Sequence, residues 1–240
     1  MANKIIYLQW GDRYGQEDID KLYDRVNKNC SVDFEFTTIH ECYASRENDE
    51  FTYLQQEYYR GSMDVNETIG SDNGILREDL GGCAHCQKMN MFFYDSELFD
   101  ERDTLLYIDL DSKINKDLAY FFDLDMQKPW IAGSGESDNE WRLLFGTRQN
   151  PLYNSSVILW KVHQLRKIWH DFYYHRKSIF FQYGMIDNWL WHRFGPYSYD
   201  GVYKNYFNVF DSDVVGINND ESIISTYSGF TMEEKKECLK

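Results

Sequence analysis

Residues 104–111 read Thr-Leu-Leu-Tyr-Ile-Asp-Leu-Asp, an apolar run that ends in two carboxylates. A short apolar run closed by polar residues is the pattern of a strand buried on both faces. Residues two apart on a strand project to the same side, so Asp109 and Asp111 are expected to converge at its carboxyl end. In open α/β sheets, ligands bind beyond that end. Two carboxylates together with substrate phosphates commonly hold Mg²⁺ or Mn²⁺. Asp109 and Asp111 are therefore the candidate metal ligands.

The spacing alone is weak, because the chain holds three other Asp-x-Asp triplets: Asp18/Asp20, Asp123/Asp125 and Asp211/Asp213. Asp18 and Asp20 fall in a helical stretch, where positions two apart face different ways. Asp123 and Asp125 follow a short helix, and Asp211 and Asp213 lie in a polar turn. Only Asp109 and Asp111 terminate a buried run.

Outward from that strand the pattern is α/β. Lys4–Trp10 reads as a buried strand that Gly11 ends. Over 16–29, Ile19, Leu22, Tyr23 and Val26 recur at helical spacing. Val32–Ile39 alternates as a second strand, so the chain opens with a βαβ unit and a parallel sheet. Residues 41–82 are a polar excursion, read as an insertion on the active-site or acceptor side. A helix is expected over 83–99, another over Asp117–Phe122, and a short strand over Trp130–Ala132. Asn154–Trp160 forms a further strand, followed by helices over Lys161–Lys177 and Phe181–Arg193, short strands and a charged tail. In the Lys161–Lys177 helix, Leu165, Ile168, Trp169 and Phe172 are expected to pack while the basic residues face water. The whole of 1–240 reads as one domain.

Composition narrows the partners. Forty acidic against 25 basic side chains give a net charge of −15, which disfavours nucleic acid and anionic lipid. No stretch approaches the ~20 apolar residues of a membrane helix, and no signal segment precedes the first strand. Five cysteines without framework spacing favour a reducing, cytoplasmic setting. Cys83-Ala-His-Cys86 offers a competing reading, a thioredoxin-like thiol oxidoreductase. The residues before it are polar, however, where such a fold needs a buried strand.

LLYIDLDSKINKDLAYFF (Leu105–Phe122) resembles the metal-binding strand and following helix of GT-A glycosyltransferases, particularly the glycogenin-like family. YNSSVILW (Tyr153–Trp160), Asp187-Asn188 and STYSGF (Ser225–Phe230) are similar to further family segments in the same order. The opening KIIYLQWGDRYGQEDIDKLYDRV resembles small viral and bacterial members of that superfamily. The resemblance implies a Rossmann-like GT-A fold with a mostly parallel sheet. It also implies transfer of a sugar from a UDP- or GDP-sugar donor to a carbohydrate or other hydroxyl acceptor, assisted by Mn²⁺ or Mg²⁺. For a viral member the setting would be the host cytoplasm.

Breaking a glycosyl phosphate bond leaves positive charge on the sugar and negative charge on the departing diphosphate, and a divalent cation neutralises the latter. On this resemblance Asp109 also reaches the ribose. Gly11, Asp12 and Tyr14 border the nucleotide, with Tyr14 stacking on the base and Thr37 nearby. Asn154 would bond sugar hydroxyls, Lys88 would offset diphosphate charge, and Asp187 would face the reactive side of the sugar. Asp187 could deprotonate the acceptor if the transfer inverts configuration. Two positions depart from the family pattern: Thr226 stands where a metal-ligating His is expected, and Asn188 replaces a Gln. A catalytically inactive nucleotide-sugar-binding module is the remaining alternative.

Overall fold

β-Strands carrying apolar side chains on both faces order the chain into a central sheet. The computed structural model describes residues 2–9, 15–40, 88–92, 99–134, 152–183, 186–196, 198, 201, 203–227, 234, 235 and 239. Gly11, Asp12, Tyr14, Cys83, Cys86 and the whole 41–82 excursion lie outside these residues.

In chain order the elements are β1 (Asn3–Gln9), α1 (Gln16–Lys28), β2 (Glu35–His40), a 3₁₀ helix (Lys88–Phe92), β3 (Thr104–Ile108), β4 (Lys113–Ile114), α2 (Ala119–Phe122) and β5 (Trp130–Gly133). They continue with β6 (Tyr153–Lys161), α3 (Val162–Tyr183), α4 (Ile186–Phe194), β7 (Asn208–Phe210), β8 (Val215–Ile217) and β9 (Ile224–Thr226). Six strands form one sheet in the order β2-β1-β3-β6-β5-β7, and β4, β9 and β8 form a second. In the six-stranded sheet β1 pairs in parallel with β2 and β3, β5 in parallel with β7, and β6 antiparallel with β3 and β5; in the small sheet β9 is antiparallel to β4 and parallel to β8. The architecture is α/β with a mostly parallel central sheet.

Alternation splits the strands between two cores. Ile6, Leu8, Leu105, Tyr107, Ile158 and Trp160 face one side, with Met89 and Met91 of the 3₁₀ helix and the apolar residues of α3 and α4. Ile5, Tyr7, Leu106, Ile108, Val157 and Leu159 face the other, with Ile19, Leu22 and Val26 of α1 and Ile114 and Ile224 of the small sheet. The expected β3 register is therefore present, buried on both sides.

Three expectations differ in detail. The helix expected over 83–99 is, in its described part, the 3₁₀ turn Lys88–Phe92, and Phe99 stands outside any helix. The Lys161–Lys177 helix continues to Tyr183, and the following helix starts only at Ile186, so the break falls later than periodicity suggests. Leu165, Ile168 and Phe172 are buried as expected, with Trp169 partly so. β2 begins at Glu35, because only from there does it pair with Lys4 of β1.

Leu106 is fully buried in the middle of β3. Leu106→Ala should cost about 3 kcal/mol of stability in urea unfolding, with most of the loss coming from the cavity left behind. Val209→Ala, at an exposed position of β7, should stay within about 0.5 kcal/mol.

Candidate active site

β3 stops one residue before the carboxylates. Asp109 N–H donates to Ser156 O at 2.9 Å, and Ser112 N–H returns to Asp109 O at 3.0 Å, which closes a turn. Asp is favoured at the first position of such turns. This corrects the expectation of an extended strand through Asp111: the pair sits in a turn, and each carboxylate has its own ammonium partner. Asp109 keeps the direction set by alternation. It lies on the same side as Tyr107, whose hydroxyl donates to its Oδ1. Asp111 instead accepts from Lys235 Nζ at 2.5 Å, with both side chains largely shielded.

Lys88 lies at the centre of the Asp109 side. Met89, Met91 and Phe92 bury the 3₁₀ turn, and this holds Lys88 Nζ 2.8 Å from Asp109 Oδ2. The same ammonium reaches Ser155 Oγ and Ser155 O, each at 3.4 Å. The side chains of Lys88 and Asp109 are only 13% and 18% exposed. Burial works against the Lys88 charge, but the Asp109, Asp187 and Asp111 carboxylates outweigh it and hold its pKa above the ordinary lysine value.

Asp187 enters from the first turn of α4, and its Oδ1 accepts the Ser155 N–H at 3.1 Å. That N–H is available because of an irregularity in the sheet. The β5–β6 register jumps between Ile131 and Ala132, so β5 pairs with Ile158 and then with Asn154, passing over the residues between. Bulges commonly re-aim groups beside active sites, and this one turns Ser155 toward Asp187 and Lys88. Lys88, Asp109, Ser155 and Asp187 thus form one connected polar group at the carboxyl end of β3.

The remaining sequence candidates divide. Asn154 lies beside the group in β6, but its Oδ1 accepts the Ser156 N–H at 2.8 Å, so half of its amide serves the backbone. Thr37 lies on β2 opposite Ile6, two strands from β3, and is not part of the group. Its neighbour Thr38 hydrogen-bonds Tyr7, which stacks on Phe36 at 4.9 Å. Gly11, Asp12 and Tyr14 lie outside the described residues. Asp18, Asp20 and Asp125 do local work: Asp18 accepts the Gly15 N–H at the start of α1, Asp20 bonds Gln16, and Asp125 accepts the Gln127 N–H.

Thr226 closes β9, buried, and its hydroxyl has no hydrogen-bond partner among the described residues. Those residues contain no group of three His, Cys, Asp or Glu side chains able to hold a metal. Among the described residues, the groups of the turn that can donate to a metal are oxygens, the Asp109 and Asp111 carboxylates and the Ser112 hydroxyl, with Thr226 one register step beyond the β4–β9 pairing. That set suits a hard cation such as Mg²⁺ or Mn²⁺, which accepts one or two carboxylates when substrate phosphates complete its shell. Sequence reasoning missed Tyr107, Ser155, Arg25 and Lys235 as members of the site. Tyr107 was legible, two residues before Asp109 on a strand, whereas Lys235 carries no local signal.

No family model and no curated protein sequence matches the chain. Solved structures do. The chain is similar to the galactosyltransferase LgtC in complex with donor and acceptor sugar analogs, at 13% identity and a TM-score of 0.55, over 98% of this chain and 95% of that one. It is likewise similar to the glycosyltransferase GlyE of Streptococcus pneumoniae TIGR4, at 11% identity and a TM-score of 0.54, over 99% of this chain and 60% of that one. The fold is therefore the GT-A glycosyltransferase fold. The thioredoxin-like reading of Cys83 and Cys86 loses its scaffold.

Removing the Lys88 ammonium leaves Asp109 and Asp187 facing each other without it. Lys88→Met should cost about 3 kcal/mol in urea unfolding. Because the folded pKa of Lys88 is raised, its contribution is complete below 10.5, the ordinary value, and fades as pH rises through the folded value. The stability gap between wild type and Lys88→Met should therefore be flat up to that pH and narrow above it.

Proposed function

We propose that the chain is a glycosyltransferase that moves a sugar from a nucleoside-diphosphate sugar to a hydroxyl acceptor with the help of Mn²⁺ or Mg²⁺. The observation that carries this reading is the convergence of Lys88, Asp109, Asp111 and Asp187 at the carboxyl end of β3 in a GT-A fold. Ligands of open α/β sheets bind at that end. Asp109 and Asp111 would hold the cation, which when bound neutralises charge on the departing diphosphate as a Lewis acid.

The chain's own residues do the rest. Lys88 keeps its charge between the carboxylates and offers an ammonium to the donor as the anomeric carbon–oxygen bond breaks. Asp109 is held at both oxygens, by Tyr107 and Lys88, so it meets the donor in one orientation. Asp187, fixed through Oδ1 by the Ser155 N–H, presents its second oxygen to the transferred sugar or the acceptor. If the anomeric centre inverts, that oxygen takes the acceptor proton as the new bond forms. Asn154 and Thr37 are proposed on the sugar and nucleotide sides, with Gly11, Asp12 and Tyr14 bordering the base. Among the described residues no helix is long and apolar enough to cross a membrane. A cytoplasmic setting agrees with the cysteine usage.

A panel of UDP- and GDP-sugars with Mn²⁺ or Mg²⁺ tests the reading. Nucleoside diphosphate release should appear with one donor, vanish with chelator, and fall on the order of 100-fold or more in Asp111→Ala. Nucleotide binding without release for any donor or acceptor would identify a binding module instead.

A further inference from the structure

Three buried polar atoms without a hydrogen-bond partner among the described residues flank the Asp109–Asp111 turn: Arg25 Nε, Ser112 Oγ and Thr226 Oγ1. They arrive from three elements. Arg25, near the end of α1, donates from Nη2 to the carbonyl of Leu110 at 3.1 Å, holding the central residue of the turn. Burial depresses its pKa, and the charges that counter this belong to Asp18 and Asp111. Ser112 follows Asp111 directly. Thr226 comes from β9 across the small sheet, where Lys113 pairs with Ser225 and Ile114 with Ile224.

One step further in that antiparallel register sets Ser112 opposite Thr226. Opposed residues share a face, and so do residues two apart on one strand. The Ser112–Thr226 pair therefore continues the core-facing stripe of Ile114 and Ile224. Where the stripe reaches the carboxylates, isoleucine gives way to hydroxyls that are 0% and 4% exposed. An unmet buried hydroxyl costs about 1–3 kcal/mol, and buried polar groups of this kind are commonly satisfied by ordered water.

We infer that Arg25, Ser112 and Thr226 form a positioning set behind the turn: Arg25 fixes the Leu110 carbonyl, and ordered water held by the three unmet groups orients Asp111 toward a cation–diphosphate ligand. The inference rests on the reading of Asp109 and Asp111 proposed above and names residues that act through them. Partners that orient a metal ligand characteristically change metal affinity when removed, while leaving the fold intact.

Titration calorimetry with UDP and with GDP, each with and without Mn²⁺, tests it. Thr226→Val and Ser112→Ala should weaken the Mn²⁺-dependent binding about tenfold, leave metal-free nucleotide binding unchanged, and keep or raise the melting temperature. Thr226→Ser, which restores a hydroxyl, should recover wild-type binding. Arg25→Lys keeps the charge but loses the fork that grips Leu110, and should also weaken the Mn²⁺-dependent increment. Wild-type affinity in both Thr226→Val and Ser112→Ala, alongside a loss in Asp111→Asn, would overturn the inference and leave the proposed function standing. Absence of Mn²⁺-dependent binding in the wild type would overturn both.

Discussion

The backbone bond from Asp109 N–H to Ser156 O is the constraint on which the candidate site depends. It is the last rung between β3 and β6, and it fixes where the strand stops and the turn begins. From that point Asp109 continues along the face shared by Tyr107, the 3₁₀ helix and α4. Asp111 is carried round toward α1, the small sheet and Lys235.

The cations around the turn show how a protein of net charge −15 manages this cluster. Lys88 and Lys235 each contact one aspartate, and Arg25 interacts electrostatically with Asp111 while bonding the turn itself. Like carboxylates brought close in a shielded place repel unless positive groups stand between them.

Much of the scaffold was legible because burial on both faces leaves a strong mark. TLLYI and SVILW are runs that only a doubly covered strand explains, and α1 shows its apolar stripe plainly. The site was less so. Hydrophobic alternation gives no sign of where ladder pairing ends, so the turn at Asp109 was invisible from LLYIDLD alone. Lys88 sits in a segment that looks helical throughout, and only the packing of Met89, Met91 and Phe92 makes its position special. The re-aimed Ser155 follows from a register jump against β5, a property of two strands at once that neither sequence carries. Thr226 departs from a family pattern in the sequence itself, but its unmet hydroxyl is visible only after folding.

The Lys235–Asp111 contact joins positions 124 residues apart. During synthesis, β1, α1 and β3 leave the ribosome early and can begin to pack, since domains form progressively as the chain emerges. Asp111 nevertheless waits for 124 further residues before Lys235 exists. Arg25 and Lys88 thus emerge before the turn they serve, whereas the Lys235 contact is added long after it.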